Sequence, residues 1–371
     1  MCPKIGIERV HLRGRLSVLL GPLTNVIPLI GAAQVAFINP PELTLDFTDA
    51  ADIADCFLIS KIVRKTIIEI VGGMAVLPNR FLVKLDNAND FFKTYVPYHG
   101  VLRVTVEKAT GVTGPKKNGA KGLLAKIVKD VPDCYCKVKV GTTTEWRTTT
   151  KKNNYEPAWN ETHDFLVSDY EQAIELNVQD DDIGGDDDVG VGSISVKDIL
   201  LGGGTKEIAL THNGEHTDGR LTVHAKFLNL VNNTSSLDEG AEDDQFVGLA
   251  TVLVASALNL QGQHEELRPS VKVSWAGKNF RTAILKYAPG SDIFNPAFDQ
   301  AFTIPITKSM VENPEQFKIA LLDKEEETGS AEVPFEQVRN AEYATVAEAY
   351  DVGSGSSVRV SISLRGLEFA E

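Results

Sequence analysis

The sequence predicts a mainly β protein: two antiparallel, eight-stranded β-sandwiches preceded by an apolar module of mixed fold. Two observations carry this. Apolar and polar residues alternate over 100–231 and again over 246–371, the period of strands with one buried face. The two stretches also repeat each other in order. VKV occurs at 138–140 and 271–273, EPAWNETHDF (156–165) matches NPAFDQAFTI (295–304), and VQDDD (178–182) matches LLDKE (321–325). A repeat this long is a duplicated domain, because solenoid units are much shorter.

The bulk numbers bound the rest. A chain of 371 residues with 43% apolar content builds more than one core. A net charge of −14 excludes the basic stripe of a nucleic-acid binder. Cys2, Cys56, Cys134 and Cys136 show no zinc spacing. Cys134 and Cys136 share one strand face without disulfide geometry, so all four read as reduced thiols in a cytosolic compartment. Leu16 to Pro41 carries no charge, but Gly21, Pro22, Asn25, Pro28 and Gly31 interrupt it. That composition suits strands and turns buried in an apolar fold better than a membrane span. No secretory signal follows Met1.

In chain order, residues 1–86 are apolar, with Ile62, Ile67, Ile68, Ile70 and Val71 in a helix-like run. Residues 87–99 form a polar and aromatic connector. Over 100–231, Leu102, Val104 and Val106 share one face, as do Cys136, Val138 and Val140, and Leu221, Val223, Ala225 and Phe227. Residues 232–245 are polar and acidic, a linker. In 246–371 the alternation returns at Phe317, Ile319 and Leu321 and at Val358, Val360, Ile362 and Leu364.

The stretch QDDDIGGDDDVG (179–190) gathers six aspartates. Two carboxylates 4 Å apart repel by about 1 kcal/mol even in water. A solvated acidic loop is one account; a hard cation needing oxygen ligands is the other. Mixed spacing around Gly184 and Gly185 suits calcium, which accepts six to eight oxygens in flexible geometry. An EF-hand fails, since its fifth and twelfth positions would be Gly184 and Val191. A cup needs a second loop, and Asp133 is the available donor.

DCYCKVKVG, EPAWNETHDF and IELNVQDDD with DDDVGVGSISV resemble the C2 domain, a membrane-binding β-sandwich. The resemblance implies calcium held by Asp133, by Asp180 and Asp182, by the backbone carbonyl of Asp181, and by either Asp187 or Asp188. The family's other first-loop aspartate has no clear counterpart; Asn118 and Asp130 are the oxygen donors that stretch offers. Leu123, Leu124, Ile127 and Val128 lie at helical spacing in the first loop, with Lys117, Lys121, Lys126 and Lys129 around them. They read either as a basic amphipathic turn facing a membrane or as a helix packed on the sandwich. Lys137 and Lys139 lie on the outward strand face, where C2 domains bind phosphoinositides. In the second copy Arg268 replaces Asp133, and only Asp323 and Glu325 keep register, so 246–371 reads as a degenerate C2 domain.

IERVHLRGRLSVLLGPLTNVIPLI and ISKIVRKTIIEIVGGMAVLPNRFLVKL resemble the C-terminal half of the synaptotagmin-like mitochondrial lipid-binding (SMP) domain. The whole order resembles extended and plant synaptotagmins. This implies a partial α+β, TULIP-like module holding glycerolipid in an apolar groove, with groove residues unspecified. It also implies a homodimer on the cytosolic face of endoplasmic reticulum–plasma membrane contacts. The expected function is a calcium-regulated tether that binds anionic phospholipid membranes and transfers glycerolipid. The alternative is a calcium-dependent adaptor without transport. No G-x-S-x-G, P-loop or H-E-x-x-H occurs, so an enzyme is not expected. HNGEH (212–216) spaces two histidines by four but reads as a strand connection rather than a metal site.

Overall fold

The structure, a computed structural model, describes residues 6–48, 53–86, 90–112, 131–182, 186–238, 242 and 245–370. The chain divides into two compact units, Met1–Asn87 with Pro97–Phe227, and Ala88–Val96 with Leu228–Glu371.

The first region contains β1 (Gly6–Arg13), β2 (Leu16–Leu20), β3 (Ala32–Phe37), β4 (Glu42–Thr48), α1 (Ile53–Ala75) and β5 (Phe81–Lys84). β1 pairs with β4, and β2–β3–β5 form a second antiparallel sheet. The isoleucine-rich run lies in α1, as its spacing predicts. Cross-strand partners share a face, so the β2–β3–β5 sheet has two unlike sides. Ala32 and Ala36 are buried on one. On the other, Leu16, Val18 and Leu20 of β2 and Phe81 and Val83 of β5 stand exposed. The charge-free stretch is therefore strands and a turn, but much of it is open rather than buried. Among the described residues, no helix is long and apolar enough to cross a membrane.

The middle sandwich follows with β6 (Gly100–Thr110), β7 (Cys134–Val140), β8 (Trp146–Arg147), β9 (Ala158–Val167), β10 (Ala173–Asp180), β11 (Asp187–Ser195), β12 (Thr205–His212) and β13 (Glu215–Val231). The pairings give two layers, β9–β6–β13–β12 and β8–β7–β10–β11. Every residue predicted inward from strands β6, β7 and β13 is buried in one cluster between them. Asn213 and Gly214, at φ 50° and 82°, close the β12–β13 hairpin. Two adjacent positive φ values are what a two-residue hairpin turn requires, so HNGEH is a turn. The first region joins this sandwich at the start of β10. Asn39 Nδ2 donates to the Glu171 carbonyl over 2.9 Å, and its Oδ1 accepts the Ala173 amide over 2.8 Å.

The second unit repeats the plan with β14 (Phe246–Leu258), β15 (Pro269–Trp275), β16 (Lys278–Arg281), β17 (Ala297–Thr307), β18 (Gln316–Asp323), β19 (Glu326–Pro334), β20 (Thr345–Gly353) and β21 (Ser356–Phe369). Its layers, β17–β14–β21–β20 and β16–β15–β18–β19, match the middle sandwich strand for strand. Trp275 stacks on Phe317 at 4.6 Å in its core. The connector contributes α2 (Phe91–Thr94) to this unit, with Phe91 buried. Asp90 caps α2 by accepting the Phe92 amide and forms a two-bond pair with Arg359, at 2.9 and 3.2 Å. The Arg359 guanidinium also covers the Phe92 ring at 4.6 Å.

Candidate functional site

β7 and β10 are antiparallel neighbours with Cys134 opposite Asp180, so the loop before β7 and the loop after β10 meet at one end. The Asp133 amide donates to Asp180 Oδ1 over 2.7 Å, and the Asp181 amide donates to the Asp133 carbonyl over 2.9 Å. Asp133 Oδ1 accepts the Asn153 amide over 2.7 Å, which ties in the loop after β8. Asp180 is only 4% exposed. A buried carboxylate needs such donors, since burial alone disfavours its charge. Cys134 sits between them, and burial followed by the charges of Asp180 and Asp133 pushes its thiol up to about 12. The predicted meeting of Asp133 and Asp180 is thus what the strand pairing produces.

The other aspartates spread out. The Asp181 carboxylate turns to Thr150 Oγ1 at 2.9 Å and to the Arg147 guanidinium at 3.5 Å. Arg147 lies 3.8 Å from the centre of the Tyr135 ring. The Tyr135 hydroxyl donates to Asp186 Oδ2 over 2.6 Å and lies 2.5 Å from Gln179 Oε1. Burial, followed by its bond to Asp186, raises the Tyr135 phenol above its ordinary value. Asp187 stands opposite Asp180 and Asp188 opposite Gln179. Partners share a face, so Asp187 lies on the Asp180 side and Asp188 on the other. Asp188 Oδ1 accepts Gln179 Nε2 at 2.8 Å and Asn177 Nδ2 at 3.2 Å. The Gln179 bond first, with help from Asn177, holds its carboxyl below the usual range. Of the two alternatives, Asp187 shares the Asp180 face and Asp188 does not. The cause is a bulge: register skips Val189 between Val178 and Gln179, which flips every later side chain.

Among the described residues, no three of Asp, Glu, His and Cys stand together at metal-ligand spacing. Residues 183–185, and 113–130 with Asn118, Lys121, Leu123, Leu124, Lys126 and Asp130, lie outside the described residues. What meets is the backbone of Asp133 and the carboxylate of Asp180, which brings two aspartate-bearing loops to one end, with Asp182 next in sequence and half-buried. That chemistry fits a hard cation such as calcium. Lys137 and Lys139 line a groove of about 560 Å³ on the sheet's outer face. They share it with Glu145, 3.7 Å from Lys137 Nζ, and with Glu175, opposite Lys139. The face is mixed in charge rather than polybasic.

In the second copy the Arg268 amide donates to Asp323 Oδ1 over 2.7 Å, and the Lys324 amide to the Arg268 carbonyl over 3.0 Å. The backbone scaffold is the same, but the first-loop carboxylate is gone. Arg281 occupies the position of Arg147, one residue before the threonine whose amide bonds β7 or β15. It bonds Glu325 Oε2 over 2.7 Å and the Lys324 carbonyl. Sequence reading missed Arg147 and Tyr135, and with them the bond that Asp186 makes to the Tyr135 hydroxyl. The available signal was phase: Tyr135 alternates in step with Lys137 and Lys139, hence lies on their face.

The C2-domain family model matches residues 100–210 and 248–348. This chain belongs to the C2-domain family. The synaptotagmin-like mitochondrial-lipid-binding domain model matches 1–86, so an SMP module precedes two C2 domains, the order expected from the extended-synaptotagmin resemblance. Human extended synaptotagmin-2 is 26% identical over 388 residues, which cover 98% of this chain and 40% of the relative. Human extended synaptotagmin-3 is 26% identical over 395 residues, covering 99% and 42%. The chain therefore spans less than half the length of these relatives. A solved structure described as the SMP, C2A and C2B domains of extended synaptotagmin 2 superposes with a TM-score of 0.65 at 22% identity. It covers 99% of this C2 protein and 78% of the solved chain. The C2A and C2B domains of the same protein, described as calcium bound, superpose with a TM-score of 0.60 at 24% identity. They cover 75% of this chain and 100% of the solved one.

Proposed function

We propose that this chain is a membrane tether of three modules, 1–86, 100–231 and 246–371, whose middle C2 domain responds to calcium. The observation that carries this is the bond from the Asp133 amide to the Asp180 carboxylate, which joins two aspartate-bearing loops at one end of the sandwich. Asp180, Asp182 and Asp187, with Asp133 and the Asp181 carbonyl, would hold the ion. A bound calcium supplies positive charge and open coordination positions to headgroup phosphates. Without it, the aspartates repel an anionic surface, an effect that salt weakens. Lys137 and Lys139 would add phosphate contacts, reduced by Glu145 and Glu175 beside them.

The first region would hold glycerolipid chains along the open apolar face of Leu16, Val18, Leu20, Phe81 and Val83. We infer transfer between the endoplasmic reticulum and plasma membrane by a homodimer, and constitutive contact by the second C2 domain. The test is co-sedimentation with phosphatidylserine-containing vesicles in calcium and in chelator, beside a fluorescent-lipid transfer assay. Calcium should increase sedimentation, and Asp180→Asn with Asp182→Asn should remove the increment. Equal binding in both conditions overturns the switch. Calcium-dependent binding without transfer favours the adaptor.

A further inference from the structure

Asn39 follows β3 in the first region and reaches the middle sandwich with both ends of its side chain. Its Nδ2 donates to the Glu171 carbonyl over 2.9 Å, and its Oδ1 accepts the amide of Ala173, the first residue of β10, over 2.8 Å. An amide side chain is the chemistry this needs, with a donor and an acceptor in one plane. Two further contacts join the same pieces. Thr142 Oγ1 donates to the Leu77 carbonyl over 2.7 Å, and the Arg15 guanidinium lies 2.9 Å from Glu171 Oε2. Arg15 is 67% exposed, so its ion pair alone holds little. It matters as a third point beside two hydrogen-bonded ones.

Both sides of this joint are set before they meet. In the first region the Leu77 amide donates to the Phe37 carbonyl over 2.9 Å, and Leu77 is buried with Ala36 and Ile38. Asn39 and Leu77 therefore belong to one piece. In the sandwich the Gly141 amide donates to the Ala173 carbonyl over 3.1 Å. Gln172, 1% exposed, accepts the Ser168 and Asp169 amides through its Oε1 at 2.7 and 3.1 Å. Gly141, at φ 56°, has no room for a Cβ against the Gln172 amide. Thr142, Glu171 and Ala173 therefore belong to one piece as well.

Contact at one point leaves a body free to turn, and contact at two leaves it free to swing about a line; a third point off that line fixes it. What the joint connects gives it a use. β3 is the central strand of the sheet whose open face carries Leu16, Val18, Leu20, Phe81 and Val83. β10 runs from Ala173 at the joint to Asp180 at the acidic loops, about 23 Å away at strand rise. We propose that Asn39 is a positioning residue. With Thr142 and Arg15 it holds the apolar face of β2 and β5 at one attitude to the loops of Asp133 and Asp180. A membrane engaged by those loops then meets the lipid-bearing face in a set orientation. The positioning role rests on the reading that the loops dock on membranes and that this face carries lipid; the joint itself does not.

The test uses the full chain carrying Cys2→Ser and Cys56→Ser, with spin labels at Lys65→Cys in α1 and Lys108→Cys in β6; Cys134 and Cys136 are buried. Double electron–electron resonance should give one narrow distance, which Asn39→Ala with Thr142→Val broadens. Exchange of the Ala173 amide should speed up about tenfold in that variant, as the loss of its bond allows. The Val104 and Val138 amides should keep their protection, which shows that the sandwich still folds. Thr142→Val alone acts from the sandwich side and should also broaden the distance; it decides the matter if Asn39→Ala disturbs the first region. A broad distance in the parent chain, or a narrow one that the variants leave unchanged, overturns the joint. On phosphatidylserine vesicles in calcium, the double variant should sediment as its parent does but transfer fluorescent lipid severalfold more slowly. Sedimentation lost together with transfer, or transfer unchanged while the distance broadens, overturns the positioning role. If the parent shows neither a calcium increment nor transfer while the distances behave as expected, the membrane reading fails and the positioning role with it, and the joint stands.

Discussion

The amide of Asp133 donates to the carboxylate of Asp180 over 2.7 Å, and the amide of Arg268 donates to Asp323 over the same distance. One scaffold bond is shared by both sandwiches, so the loops are built alike and only the side chains decide what they hold. An arginine in place of Asp133 removes one oxygen donor and adds a charge that repels a divalent ion. The full chain carrying Asp180→Asn with Asp182→Asn should therefore give no calcium heat in titration calorimetry. Residual heat would mean the second sandwich also binds.

Arg147 is the internal cation of the acidic loop, 3.5 Å from Asp181. In the second copy Arg281 makes the equivalent link to Glu325 over 2.7 Å. Arg147 opposes any cation brought to the same loop. Arg147→Ala should tighten calcium binding severalfold, equivalent to about 1 kcal/mol for a partly solvated charge. Arg147→Lys should leave the affinity near its starting value. Weaker binding in the alanine variant would show that Arg147 mainly positions Tyr135 and Asp181.

Much of this was legible from the sequence, for physical reasons. Alternation marks a strand with one wet face, so Leu102, Val104 and Val106 fall inward without further information, and Asn213-Gly214 announces its hairpin. The meeting of Asp133 with Asp180 followed from the family resemblance, and the β7–β10 pairing produces it. Which of Asp187 and Asp188 shares the Asp180 face was illegible, because a bulge reverses parity without leaving a distinctive residue. The same shift recurs between Leu321 and Leu322 of the second copy, so it belongs to the fold. The exposure of Leu23 and Ile27 was also hidden, since hydropathy alone does not separate a buried turn from an open one. Nor does composition show that α2 packs with the second sandwich.

Arg103 and Asp164 face each other across β6 and β9 with two bonds of 2.8 Å, and the Asp164 side chain is fully buried. Removing one partner of a buried pair strands the other charge. Asp164→Ala should destabilise the middle sandwich by about 3–5 kcal/mol in denaturant unfolding. Replacing both residues by apolar ones of similar volume should recover much of that loss. A loss under about 1 kcal/mol in the single variant would place the pair among ordinary surface bridges.

The pair of Asp90 with Arg359 makes the hold on α2 depend on pH. Partial burial opposes ionisation of Asp90, but the bonds from Arg359 and the Phe92 amide outweigh it, so the carboxyl lies below its ordinary 3.8. A depressed folded value means stability that is present above 3.8 and lost as pH falls through the lower folded value. Amide exchange over residues 91–96, corrected for intrinsic rate, should be protected at neutral pH and lose protection in acid before β14 and β21 do. Asp90→Asn should weaken protection at neutral pH and remove its acid dependence, because no charge remains to neutralise. Exchange that responds to acid equally in both proteins would show that α2 follows global unfolding rather than this pair.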